Sequence, residues 1–65
     1  MNFYEWLVTQ KNADTPIGDL ARDVMRDMRC PKNSSDIEVW TLYLARVYIR
    51  MTEILQEAFD EYHNQ

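Results

Sequence analysis

The chain has 65 residues, eleven acidic against seven basic, and a formal net charge of −4. That length allows one domain spanning residues 1–65, and a chain this small hides only about 60% of the surface its unfolded form exposes. The charge argues against a nucleic-acid binder working through overall basicity. With one cysteine, Cys30, and one histidine, His63, the sequence offers neither an internal disulfide nor a Cys/His zinc set.

The first element is expected to start at Asn2, whose side chain can accept free N–H groups of the first turn. Glu5, three residues on, completes a capping-box pair. Phe3, Tyr4 and Leu7 share its apolar face, with Trp6 and Val8 on the flanks. A polar connector, residues 12–15, leads to Thr15-Pro16, a hydroxyl cap followed by proline at the first helical position.

In the second helix, Ile17, Leu20, Ala21, Val24 and Met28 make one apolar stripe, with Met25 at its edge. Arg22, Arg26 and Arg29 line one flank and Asp19, Asp23 and Asp27 the other. Gly18 in the first turn is costly for a helix, and a close backbone contact would account for it. The helix is expected to stop before Pro31, because the residue preceding proline disfavours the helical basin.

Ser35 and Glu38 match the S-x-x-E capping box and open a third helix facing Ile37, Trp40 and Leu44 inward, with Tyr43 beside them. No glycine or proline interrupts the chain from there to Tyr62. Val47, Met51, Ile54, Leu55, Ala58, Phe59 and Tyr62 continue almost the same stripe. Val39, Leu42 and Ile49 fall off it. Either a bend near Ala45–Tyr48 changes the phase and buries them, or they form a second apolar face. The expected core is Trp6, Leu20, Val24, Trp40, Leu44, Ile54, Leu55 and Phe59.

These blocks together resemble the YozE-like family of small bacterial proteins, whose fold is similar to the sterile alpha motif (SAM) domain. The matching residues are Phe3, Tyr4, Trp6 and Leu7; Pro16 with Gly18-Asp19-Leu20-Ala21; Pro31-Lys32 with Ser35-Asp36; Tyr43-Leu44; and Glu57-Ala58 with Glu61-Tyr62. Phe59 stands where the family more usually carries tryptophan. Relatives break between the last two helices near Ala45–Arg50, where this chain shows no evident breaker. The resemblance implies an all-α, compact bundle of about four helices, and no catalytic or binding residues carry over with it.

Candidate sites are sparse. Cys30 beside Arg29 and Lys32 has the neighbours that activate a thiol, yet no histidine dyad is available, and a structural or incidental role fits better. His63 lies at a C-terminal helix end and reads as solvated. No convergent catalytic set is evident, so the chain is expected to be no enzyme and to need no cofactor or metal.

Two surface features stand out. Val39, Leu42 and Ile49 interleave with Arg46, Arg50 and Glu53, an apolar centre with a charged rim suited to a protein partner or to self-association. The second is a basic edge, Arg22, Arg26, Arg29 and Lys32, suited to nucleic acid; a solvated surface balanced by the aspartates is the plainer reading. No basic stretch precedes an apolar run at the N-terminus, and a lone thiol suits a reducing compartment, so a cytoplasmic protein without membrane attachment is expected. The sequence thus points to a non-enzymatic binding module, with nucleic-acid binding as the rival.

Overall fold

A computed structural model describes residues 1–65. Its elements are α1 (Phe3–Val8), α2 (Pro16–Met25), α3 (Ile37–Val47), a short 3-10 turn (Ile49–Met51) and α4 (Thr52–His63), with no strands. Both N-terminal start signals act as expected. Asn2 Oδ1 accepts from the Glu5 amide at 2.8 Å while Glu5 Oε1 accepts from the Asn2 amide at 2.9 Å. Thr15 Oγ1 accepts from the Gly18 amide at 3.1 Å.

α1 has only six residues, too few to persist alone. Packing holds it: Phe3, Trp6 and Leu7 are buried, and Tyr4 is half-buried. Phe3 stacks on Phe59 with centroids 3.8 Å apart and meets the edges of Trp40 at 5.1 Å and Tyr62 at 5.6 Å. The expected core residues are buried except Ile54, which is half-buried; Phe3, Leu7, Ile17, Ala21, Cys30 and Ala58 complete the cluster.

α2 buries Ile17, Leu20, Ala21 and Val24 along the expected stripe but ends at Met25, sooner than Pro31 requires. Tight turns follow, with Asp27 N bonded to Val24 O at 3.1 Å and Cys30 N to Asp27 O at 3.3 Å. Met28, expected in the stripe, is 91% exposed, and Asp27, expected on a solvated flank, is buried instead. The reason is a saturated carboxylate. Asp27 Oδ1 accepts from the Arg29 amide at 2.9 Å and its Nε at 3.0 Å. Oδ2 accepts from Arg29 Nη2 at 3.2 Å and from the Tyr43 hydroxyl at 2.9 Å.

The start of α3 also differs. Asp36, not Ser35, is the cap, accepting from the Glu38 amide at 2.9 Å. Ser35 Oγ instead accepts from the Phe3 amide at 3.0 Å, a contact across 32 residues that takes the hydroxyl away from its own helix. Trp40 and Leu44 face inward, and Trp40 Nε1 donates to Ser34 O at 2.8 Å.

The helical stretch does break. Tyr48 leaves helical geometry at φ −135° and ψ 63°, the 3-10 turn follows, and α4 folds back. An unbroken helix over residues 36–62 would be about 40 Å long at 1.5 Å per residue. The molecule measures 26 × 22 × 21 Å. Bending returns Leu55, Ala58 and Phe59 to the shared core. It does not bury the off-stripe residues: Val39 is 40%, Leu42 68% and Ile49 70% exposed.

Two outcomes test this packing. A Cβ on Gly18 would fall far inside van der Waals contact distance of the Ala13 carbonyl oxygen and 3.1 Å from Gln10 O. Helix propensity alone makes Gly18→Ala stabilising by about 1 kcal/mol; the clash with backbone should reverse the sign, costing about 1–3 kcal/mol in urea unfolding. A gain in stability would contradict the close approach.

The second concerns acid. The Arg29 guanidinium, with the Arg29 amide and the Tyr43 hydroxyl, holds the Asp27 carboxyl down from 3.8 to about 2. A carboxylate lowered in the folded state stabilises it above the unfolded value, and that contribution disappears as pH falls through the folded value. The wild-type urea midpoint should therefore drop further than that of Asp27→Asn between about pH 5 and about pH 2. Equal drops would show that the carboxylate contributes nothing.

Candidate protein-docking face on the third helix

α3 points Trp40 and Leu44 into the core. Leu42 is two residues from each, and two residues rotate about 200° around a helix, so Leu42 is aimed away from both. Val39 lies beside it one turn earlier. With Arg29, Tyr43, Arg46 and Val47 they line an open groove of about 480 Å³. Its floor is aliphatic and aromatic; its rim is two arginines.

Tyr43 belongs to both the core and the groove. Its ring meets the edge of Trp40 at 5.9 Å, and its hydroxyl donates to Asp27 Oδ2. Burial and that donated bond push the phenol well above its usual range, so it stays a donor. Arg29 is fixed by the same carboxylate, yet its side chain is mostly exposed along the rim. Arg46 is exposed and has no ion-pair partner within the chain.

Of the residues singled out on the apolar face, Val39, Leu42 and Arg46 come together. The break at Tyr48 carries Ile49 and Arg50 to a neighbouring recess of about 290 Å³, shared with Val47, Tyr48 and Met51. Glu53, in the first turn of α4, is exposed and lines neither. Arg29, Tyr43 and Val47 complete the groove without having been singled out for it. Arg29 reaches the groove through Asp27, which lies in the turns after α2 and is buried there, whereas its spacing had put it on the solvated flank.

The basic edge is divided. Arg22 Nη1 donates to Lys11 O at 2.6 Å and Ala13 O at 3.2 Å, and Nη2 pairs with Asp19, so this side chain braces the α1–α2 connector. Arg22 and Arg26 border a separate recess of about 340 Å³ with Lys11, Asn12 and Met25. Arg29 turns to the α3 groove because α2 ends before it. Lys32 Nζ lies 5.8 Å over the Tyr4 ring.

Cys30 is buried, and burial pushes its thiol up despite the nearby Lys32. The opposite shift is what a nucleophile needs. His63 is exposed in the last turn of α4, beside the rings of Phe59 and Tyr62. No group of three or more His, Cys, Asp or Glu side chains is placed to hold a metal ion, and no helix is long and apolar enough to cross a membrane.

The family model described as the YozE SAM-like fold matches residues 2–64. A UPF0346 protein of Streptococcus uberis is 44% identical over 45 residues, which cover 66% of this chain and 63% of that protein. A UPF0346 protein of Streptococcus pyogenes serotype M28 is 40% identical over 45 residues, covering 66% of this chain and 54% of that one. The chain thus spans less than two thirds of the curated relatives it matches. No solved structure matches it. The four-helix arrangement and a match over nearly every residue lead to one conclusion: the chain belongs to the YozE SAM-like fold family.

Proposed function

We propose that this protein is a non-enzymatic binding module that contacts another protein through the outer face of α3. The observation that carries the reading is Leu42. In a chain that needs its large apolar side chains for the core, Leu42 is 68% exposed beside Val39 and the Tyr43–Val47 groove. Fully burying a leucine is worth about 1.5–3 kcal/mol, so leaving one out forgoes stability the fold could use. An apolar centre with tyrosine and arginine at its edge has the make-up of a protein contact. A nucleic-acid surface needs a run of neighbouring cations free to meet phosphates, whereas the basic edge is split: Arg22 braces a connector beside Arg26, Arg29 is held at the α3 groove and Lys32 lies over Tyr4. The buried thiol, held protonated, supports a role without nucleophilic chemistry. We place the protein in the cytoplasm, where a lone thiol stays reduced.

A photo-cross-linking residue in place of Val39 tests the reading. Position 39 should capture protein, the same residue in place of the exposed Glu57 on α4 should not, and Leu42→Glu should abolish capture. The captured protein, once purified, should bind the wild type at least about tenfold tighter than Leu42→Glu, as loss of a central apolar anchor implies. Nucleic-acid adducts, no protein adduct, or capture indifferent to Leu42→Glu would overturn the reading.

A further inference from the structure

We infer that the protein docking on this face is a second copy of the same chain, its α3 antiparallel to the first across a two-fold axis beside Leu42. This rests on the binding role proposed above and names its partner. A two-fold contact requires a surface complementary to itself. When antiparallel helices meet at Leu42, each residue before it faces the residue equally far after it in the other copy. Glu38 stands four positions before Leu42 and Arg46 four after, so each two-fold contact sets Glu38 of one copy against Arg46 of the other, twice. Val39, three before, meets Ala45, three after. All five residues are exposed.

The same face is otherwise unpartnered. Neither Glu38 nor Arg46 takes part in either ion pair of the fold, and eight residues separate them along α3, about 12 Å of helix, too far to pair within one chain. Opposite charges equidistant from an exposed apolar residue complement an antiparallel copy. A parallel copy would align Glu38 with Glu38 and Arg46 with Arg46, which repel. Ala45 is small enough to let the helices approach to the usual 8–10 Å. α3 has eleven residues and spans about 16 Å, so the contact falls among small interfaces, typical of transient association. The dimer is accordingly weak and reversible.

Sedimentation equilibrium from about 10 μM to about 1 mM covers the range in which such a contact should titrate. The wild type should dimerise, and Leu42→Glu should be monomeric with unchanged helicity. Glu38→Arg and Arg46→Glu, each alone, replace both attractive pairs with repulsive ones and should weaken self-association by at least about tenfold. Mixed in equal amounts, those two variants should associate with each other, because opposite charges then face again. The double variant Glu38→Arg/Arg46→Glu should recover dimerisation. These charge variants keep the test valid even if Leu42→Glu fails to fold. A monomeric wild type at the highest concentration, a dimer indifferent to either single reversal, or a mixture that stays monomeric would overturn the pairing. A monomeric wild type that still captures a different protein through position 39 overturns only the pairing; absence of both dimer and capture overturns the binding role as well.

Discussion

The stacking of Phe3 on Phe59 joins the first helix to the last, and the remaining packing is arranged around it. Phe3 is fully buried and contacts the rings of Trp6, Trp40, Phe59 and Tyr62, so three of the four helices meet at one aromatic side chain. Each well-placed aromatic pair is worth about 0.5–1.5 kcal/mol beyond the area it buries, a large share of the margin available to a small domain. Polar contacts hold the ring in place. The Phe3 amide donates to Ser35 Oγ, Asn2 Nδ2 donates to Lys32 O at 2.9 Å, and the Tyr62 hydroxyl donates to Met1 O at 2.9 Å. The beginning of the chain is thereby tied to its middle and its end.

That arrangement explains which surface stays open. The inner side of α3 is spent on Phe3 through Trp40, and the break at Tyr48 sends α4 back to the same core. None of the four helices covers the opposite side of α3, where Val39 and Leu42 stay exposed. The Asp27 carboxylate then completes the groove from the α2 end, holding Arg29 at the rim and the Tyr43 hydroxyl at the floor. One buried acid thus connects the stability of a turn to the shape of a surface.

Much of this was legible in the residues. Asn2 with Glu5 and Thr15 with Pro16 are local signals, and local signals survive folding because their partners lie within one turn. The family resemblance pointed to the bundle. Ser35 misled because its acceptor role is set by Phe3, 32 residues away, and the end of α2 misled because Asp27 is satisfied by Tyr43 on another helix. The break at Tyr48 has no glycine or proline to announce it; the need to return Phe59 to Phe3 supplies the physical reason. On the surface, Val39, Leu42 and Arg46 were visible from period alone, since they lie on one regular helix. Ile49, Arg50 and Glu53 lie beyond the break and the period no longer applies to them. Tyr43 follows Val39 by one turn of the same helix, a spacing that already places it in the groove, whereas Arg29 enters only through Asp27, a relation no helical spacing encodes.

Short helices at chain ends ordinarily fray, opening at small cost while the interior stays closed. If Phe3 is the centre of the fold, α1 cannot behave that way. Native-state hydrogen exchange at the Trp6 amide, bonded to Asn2 O at 3.0 Å, measures this directly against the core amides of Leu55 and Phe59 in α4. Dependence on the Phe3 contacts predicts that all three exchange only through global unfolding, with the same free energy and the same denaturant slope. Fast exchange at Trp6 through a local, denaturant-insensitive opening, with α4 still protected, would contradict it.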